Sequence, residues 1–187
     1  IGAPHEPSSQ KLLIEAYIPG REFAIEGVLT QGRLQIFAVF DKPNPLEGPF
    51  FEETIYVTPS ECSLDERQCI SETLQRAIEA LGLSHGPIHA ECRLNKDGVF
   101  VLEIAARPIG GLCSKTLRFY GQDTKDATLE SVLLHHAIGD PVTGYRREKQ
   151  AAGVMMIPIP SEGRFRHVGE VETAKAVKCV EEIVITA

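Results

Sequence analysis

The chain is short of positive charge: its 187 residues include 19 lysines and arginines against 26 acidic residues, a formal net charge of -7. A nucleic-acid surface needs lysines and arginines clustered over a large area, so this balance predicts that nucleic acid is not a partner. Small anions are not excluded, because a few well-placed cations and backbone N–H groups are enough to bind a triphosphate.

The sequence also lacks membrane, secretion and zinc signals. No apolar run reaches the roughly 20 residues that a membrane helix needs, no basic and then apolar signal segment opens the chain, and no Cys-x-x-Cys pair occurs. The five cysteines are odd in number, which favours reduced core thiols over a disulfide framework. We therefore expect a cytoplasmic protein without a membrane partner.

What is present is a pattern of strands interrupted by two helices. Two β-rich segments, 22–30 and 33–40, flank a Gln-Gly turn and predict a hairpin. A helix is predicted to begin at Ser63, where Glu66 completes a capping box and apolar residues then recur at helical spacing. The other predicted elements are strands at 51–58, 88–94, 99–104, 154–157 and 180–186 and a helix at 128–137.

This order of elements predicts an α+β fold with a mainly antiparallel sheet and helices packed on one face. We interpret residues 1–10 as a linker, 11–147 as the principal lobe and 148–187 as a small C-terminal β subdomain. Because the chain starts at Ile1 rather than at a methionine, we expect it to be part of a longer polypeptide.

Two glutamates are predicted to face each other across the hairpin formed by the strands at 88–94 and 99–104. The turn from Asn95 to Gly98 suits a three-residue loop with a bulge, which pairs Asn95 with Val99 and places Glu91 opposite Glu103. On the other face this register gathers only apolar side chains, which we expect to point into the core: Ala90, Cys92, Leu94, Phe100, Leu102 and Ile104.

Opposed carboxylates, with Cβ atoms about 5 Å apart, repel each other unless their charge is compensated. One carboxyl could be protonated, an arginine such as Arg93 or Arg107 could lie between them, or a divalent cation could bind both. Magnesium prefers oxygen ligands, often completed by substrate phosphates. The hairpin alone leaves these three alternatives open.

Further residues carry a family resemblance. Glu91, the run from Glu103 to Arg107 and the following Gly110-Gly111 resemble the metal-binding strand pair and loop of ATP-grasp enzymes. The segment from Leu13 to Phe23 resembles the hinge strand with which that family holds adenine. The motifs occur in the family's order, and the resemblance covers about residues 11–140. It implies an ATP-grasp C-terminal lobe whose N-terminal lobe is missing, with the amino-acid and dipeptide ligases as the nearest branch.

The resemblance also implies roles for individual residues. Arg107 would face the transferred phosphoryl group, and Glu91 and Glu103 would bind magnesium, with manganese as the alternative ion. The remaining implied contacts are Glu15 or the backbone of Ala16 and Ile18 with adenine, Glu22 with the ribose, and Lys42, Gly110 and Gly111 with the substrate.

The implied function is that of an ATP- and magnesium-dependent ligase that joins a small carboxylate to an amine through an acyl phosphate. One alternative is a carboxylase or carbamoyl-phosphate synthase that uses bicarbonate. Another is a non-catalytic nucleotide-binding module, because Ala105 replaces the asparagine that many members use as an additional metal ligand. We expect this lobe to be inactive without the N-terminal lobe, and we keep a homodimer as a partner hypothesis.

Overall fold

The structure is a computed structural model that describes residues 14–44, 53–121, 124–158 and 163–185, so the linker predicted at residues 1–10 lies outside the described part. The strands are β1 Arg21–Thr30, β2 Arg33–Lys42, β3 Ile55–Thr58, β4 Gly86–Asn95, β5 Gly98–Ala105, β6 Arg118–Tyr120, β7 Ala127–Thr128, β8 Arg146–Arg147 and β9 Ala152–Met155. The helices are α1 Leu64–Ala80, α2 Leu129–Ala137 and α3 Val171–Lys175, with a 3₁₀ turn at Ser114–Thr116.

One antiparallel sheet organises the first compact unit, Ile1–Met156. Its six strands lie in the order β5-β4-β1-β2-β3-β9, and a smaller sheet has the order β7-β6-β8. Every described strand pair is antiparallel. The α+β class predicted from the sequence is therefore confirmed.

The helices do not share one face of the sheet, which corrects the expected placement. The neighbouring β1 residues Ala24 and Ile25 point to opposite faces and belong to two separate hydrophobic clusters. The cluster of Ile25 contains buried residues of α1, and the cluster of Ala24 contains Leu129 and Val132 of α2. Both faces of the central strands are therefore covered, and the buried polar side chains of β1 lie where partners have to come from the protein itself.

Helix α1 forms as the sequence predicted. The Ser63 hydroxyl accepts a hydrogen bond from the Glu66 N–H, and the Glu66 carboxylate accepts one from the Ser63 N–H, which completes the capping box. Ile70, Leu74 and Ile78 then recur at helical spacing and are buried against the sheet.

The β4–β5 hairpin confirms the predicted pairing of Glu91 with Glu103 but reaches it by another route. Asn95 pairs with Gly98 rather than Val99, and the ladder then shifts by one residue, so that Leu102 has no opposite residue. The predicted core face of β5 was wrong near the turn. Val99 and Val101 contact the core, whereas Phe100 and Leu102 are 36% and 42% exposed.

The boundary between the two parts of the chain differs from the sequence prediction. The first compact unit extends through Met156 instead of ending at residue 147, because β9 pairs with β3 and so completes the main sheet. In the second unit, Ile157–Ala187, the described residues form the helix α3 and no strand. The strand predicted at 180–186 is therefore not found among its described residues, 180–185, where side chains such as Val184 are exposed and no strand pairs with them.

None of the helices in the described residues is both long enough and apolar enough to span a membrane.

Leu74 is fully buried on the face of α1 that packs against the sheet. Leu74→Ala should lower the free energy of unfolding by about 2–5 kcal/mol, because the truncation leaves a cavity. Urea denaturation measures this change. Leu64 lies at the start of the same helix and is 85% exposed, so Leu64→Ala should change stability by less than about 0.5 kcal/mol. Equal losses in both variants would contradict the packing described here.

Candidate active site

The side chain of Lys42, at the end of β2, binds three carboxylates at once. Its Nζ donates to Oε1 of Glu22 at 2.8 Å and to Oε1 of Glu53 and of Glu91 at 2.7 Å each. The ring centroid of Tyr56 lies 4.9 Å from the same nitrogen. Glu22, Glu53 and Glu91 are named the Lys42 carboxylates below, and one oxygen of each lies within 4.8 Å of the others.

The strand registers bring these groups together. Glu22 of β1 lies between Lys42 on β2 and Arg93 on β4, as the opposite residue in both ladders. Two residues further along β1, Ala24 lies opposite Glu91, so Glu22 and Glu91 share one face of the sheet. The small side chain of Ala24 leaves room for the longer side chains around it.

The electrostatics of the cluster keep Lys42 and Glu91 ionised. Burial disfavours the charge on Lys42, but the three carboxylates outweigh it and raise the Lys42 pKa far above its ordinary value. Burial likewise opposes the charge of Glu91, yet His89 and Lys42 outweigh it and lower the Glu91 pKa to about 2. Both groups are therefore charged at neutral pH.

A second buried acid extends the cluster through His89. The His89 Nε2 atom lies 3.6 Å from Oε1 of Glu91, and Nδ1 lies 3.7 Å from Oε2 of Glu26. Glu26 is completely buried, and its Oε2 accepts a hydrogen bond from the Ile109 N–H at 2.9 Å. Burial raises the Glu26 pKa, whereas the two neighbouring carboxylates overcome burial and raise the His89 pKa to about 9.

Glu103 and Arg107 lie at the open side of this cluster. Their side chains are about half exposed, and the Arg107 Nη2 atom lies 3.9 Å from the Glu103 carboxylate, an ion pair too exposed to contribute much stability. The negative charge of Glu91 is compensated by Lys42 and His89 rather than by Arg107. The sequence suggested a protonated carboxyl, an arginine or a divalent cation for this role, but not a lysine from β2.

The segment that resembles an adenine-binding strand lies beside the cluster. Glu15 and Ala16 are exposed and belong to neither a helix nor a strand. The Ile18 carbonyl accepts a hydrogen bond from Arg93 Nη1 at 2.6 Å, and Glu22 is buried between Arg93 and Lys42. The structure therefore places the predicted ribose residue next to the predicted metal ligand.

The predicted substrate loop needs one correction. Lys42 is not part of a loop, because the β1–β2 ladder continues to its pairing with Glu22 and the side chain is only 3% exposed. Gly110 and Gly111 are exposed in the connection after β5, as expected of a loop. Residues 45–52, which complete the Pro-rich segment, lie outside the described residues.

Sequence reasoning missed Glu26 as part of this site. The available signal was a charged residue inside an otherwise apolar strand: every residue of β1 between its two ends is buried, and Glu22 and Glu26 are its two interior acids. Charged residues are seldom fully buried unless they are paired, so acids in such a strand indicate partners.

The arrangement is suited to a hard cation next to a phosphate chain. Carboxylate oxygens are the ligands that magnesium prefers, and Glu91 and Glu103 present such oxygens from a rigid strand pair. The Lys42 ammonium demonstrates that the neighbouring carboxylates already accommodate a positive charge.

Comparison with known families agrees with the motifs. The profile of the ATP-grasp domain family matches residues 3–116. The chain belongs to the ATP-grasp family. The resemblance predicted from the sequence is therefore confirmed.

Among curated proteins, this ATP-grasp chain is 34% identical over 150 residues to carnosine synthase 1 of Gallus gallus, which covers 78% of the chain and 16% of that protein. It is 32% identical over 109 residues to alanine–anticapsin ligase of Bacillus subtilis, which covers 57% of the chain and 22% of the relative. The chain thus spans less than a quarter of either relative.

A solved structure with the same fold is that of an L-amino acid ligase from Bacillus licheniformis, with a TM-score of 0.74 and 31% identity. The match covers 89% of this chain and 41% of that protein. Phosphoribosylglycinamide synthetase of Anaerococcus prevotii, at 15% identity and a TM-score of 0.59, shares the fold.

The imidazole of His89 should titrate at about pH 9 in metal-free buffer with EDTA, as measured by NMR of the histidine ring signals. His136 is an internal reference with the opposite direction, because burial and the neighbouring His85 lower its pKa below 6.5. Titration of His89 at or below pH 6.5 would contradict the described pairing with Glu26 and Glu91.

The raised pKa of His89 also makes the free energy of unfolding depend on pH. The folded protein holds the His89 proton more tightly than the unfolded chain, so this contribution is complete below pH 6.5 and is lost as pH rises through 9. Between these values, urea denaturation should show a steeper loss of stability for the wild type than for His89→Gln. Parallel curves would argue against a charged His89.

Proposed function

We propose that this chain is the C-terminal lobe of an ATP- and magnesium-dependent ligase that joins a small carboxylate to an amine. The observation that carries the proposal is the placement of Glu91 and Glu103 opposite each other, with the Lys42 ammonium 2.7 Å from Glu91. The L-amino acid ligase, of which the chain covers 41%, supports both the amino-acid branch and the need for a further lobe.

In this proposal, each part of the site binds one part of Mg·ATP. Glu91 and Glu103 would hold magnesium, which neutralises phosphate charge when bound. Arg107, whose side chain is 56% exposed, would bind the transferred phosphoryl group. The adenine would meet Glu15 or the backbone of Ala16 and Ile18, and Glu22 the ribose. Gly110 and Gly111 would border the substrate.

The proposed chemistry has two steps. A substrate carboxylate oxygen attacks the γ-phosphorus, the bond to ADP breaks, and an acyl phosphate forms. The amine nitrogen then attacks the acyl carbon, the bond to phosphate breaks, and the nitrogen loses a proton. In the first step negative charge accumulates on the phosphoryl oxygens, so Arg107 would act mainly by electrostatic stabilisation.

Glu103→Gln should lower magnesium-dependent ATP hydrolysis by the full-length polypeptide about a hundredfold or more, because a charged ligand is lost at a half-exposed position that the fold does not need. Phosphate release in the presence of paired L-amino acids measures this. The control is Glu61→Gln, which removes the same charge from an exposed residue before α1 and should leave turnover unchanged.

Three outcomes, two of this assay and one of the assay combined with a measurement of Mg·ATP binding, would contradict the proposal. Unchanged turnover in Glu103→Gln would exclude its role as a metal ligand. Phosphate release with bicarbonate instead of amino acids would favour a carboxylase or carbamoyl-phosphate synthase. Mg·ATP binding without hydrolysis across all substrates would favour a non-catalytic module, in keeping with Ala105, which the structure places opposite His89.

A further inference from the structure

Arg93 contacts both the segment before β1 and Glu22, an acid of the charged cluster. It lies in β4, is 5% exposed, and stands opposite Glu22 of β1. Its Nε atom donates to Glu22 Oε2 at 2.7 Å and its Nη1 atom donates to the Ile18 carbonyl at 2.6 Å. The guanidinium carbon also lies 4.8 Å from the ring centroid of Tyr17. One planar group therefore contacts three residues of the preceding segment and β1.

The segment before β1 depends on side chains for its position. Residue 19 is proline, which has no N–H to donate to a strand ladder, and the paired part of β1 begins only at Arg21. Two carbonyls of this segment are bound by side chains of β4: that of Ile18 by Arg93, and that of Pro19 by the Asn95 amide at 2.7 Å. These contacts replace the missing backbone pairs.

Glu22 links the Arg93 contacts to the charged cluster around Lys42. One of its carboxylate oxygens binds Arg93 and the other binds the Lys42 ammonium at 2.8 Å. Because Lys42 also binds Glu91, a continuous chain of charge-assisted hydrogen bonds leads from the Ile18 carbonyl to the proposed metal ligand.

We infer that Arg93 is a positioning residue that sets the nucleoside-binding segment at a fixed distance from the phosphate-binding part of the site. The inference rests on the proposed function, in which residues 15–18 meet the adenine and Glu22 the ribose. Arg93 itself touches no substrate in this proposal. It holds the segment and Glu22 in the geometry that the nucleoside needs before binding, which reduces the ordering cost of binding.

The positive charge of Arg93 alone is not enough for this positioning role. A guanidinium directs donors along fixed directions and stacks on an aromatic ring, whereas a lysine ammonium is a single point on a flexible stem. Lysine at this position could pair with Glu22 or with the Ile18 carbonyl but could not reproduce both contacts together with the Tyr17 contact. Arg93→Lys therefore separates a geometric role from a purely electrostatic one.

The test compares a nucleotide with a ligand that lacks the nucleoside, both bound to the full-length polypeptide. In Arg93→Met and in Arg93→Lys, the Kd for Mg·ATP should rise about tenfold or more, whereas the Kd for Mg·tripolyphosphate should change less than about twofold. Unchanged tripolyphosphate affinity also demonstrates that the variants are folded. Arg76→Met, an exposed position on α1, is the control and should alter neither Kd.

A second measurement does not depend on nucleotide binding. Without any ligand, amide hydrogen exchange across residues 14–20 should accelerate in Arg93→Met and remain as in the wild type in Arg76→Met. Unchanged exchange in this segment would overturn the inference, whether or not the protein binds ATP. If exchange accelerates but the wild type does not bind Mg·ATP, the proposed function fails, and the nucleoside role of Arg93 fails with it.

The binding experiment also has outcomes that refute the inference. An equal loss of affinity for both ligands would place the effect of Arg93 at the phosphate end of the site or in the fold as a whole. Full recovery of Mg·ATP affinity in Arg93→Lys would reduce its role to charge. An unchanged Kd for Mg·ATP in Arg93→Met would exclude a positioning role.

Discussion

The Lys42 ammonium and its three carboxylates are the interaction on which the polar side of the sheet depends. The lysine comes from β2, two of its acids come from β1 and β4, and the third comes from the residues before β3. Glu22 and Glu91 are largely buried, so either charge alone would be costly, and the three carboxylates together would repel one another. The lysine makes the cluster compatible with folding, and the strand registers keep the lysine in place.

One face of the main sheet, that of Glu22 and Ala24, carries both apolar and charged side chains. Ala24 and Phe40 belong to a hydrophobic cluster, whereas Glu22 and Glu26, on either side of Ala24 on the same face of β1, belong to the charged network. Because the acids project from a central strand rather than from mobile loops, their positions are fixed by the backbone ladders on both sides. Such rigidity suits a site that works by electrostatic preorganisation. The loop after β5 is tied to the network through the Ile109 N–H.

The sequence was informative wherever a local rule decides the structure. The capping box at Ser63 and the first hairpin follow from patterns within a few residues. The opposition of Glu91 and Glu103 was predicted from a turn register that the structure corrects, and it is restored by the bulge at Leu102. The sequence was not informative where partners come from distant segments. The position of Lys42 beside Glu22 and Glu91 depends on two strand registers together, and the Pro-rich segment after it suggested a loop.

The core face of β5 could not be predicted for a different reason. Residues 99–102 are all apolar, so both faces of the strand satisfied the hydrophobic pattern equally. The turn, which pairs Asn95 with Gly98, and the bulge that follows it determine which residues of β5 point into the core. The placement of both helices on one face of the sheet was mispredicted for another reason. Amphipathic spacing identifies the buried side of a helix but does not say which face of a sheet that side packs against.

The bulge at Leu102 has a consequence for how the family's sequences diverge. Without it, the pairing near the turn would continue, and Glu91 would face Leu102 while Glu103 pointed into the core. A relative that lacked a residue at position 102 would keep the two glutamates opposed, because a regular ladder from the same turn then reaches Glu103 directly after Val101. Such a relative would be one residue shorter between the two glutamates and would have the same site without the bulge. A one-residue gap at this point of an alignment would therefore mark the regular form of the hairpin rather than the loss of the site.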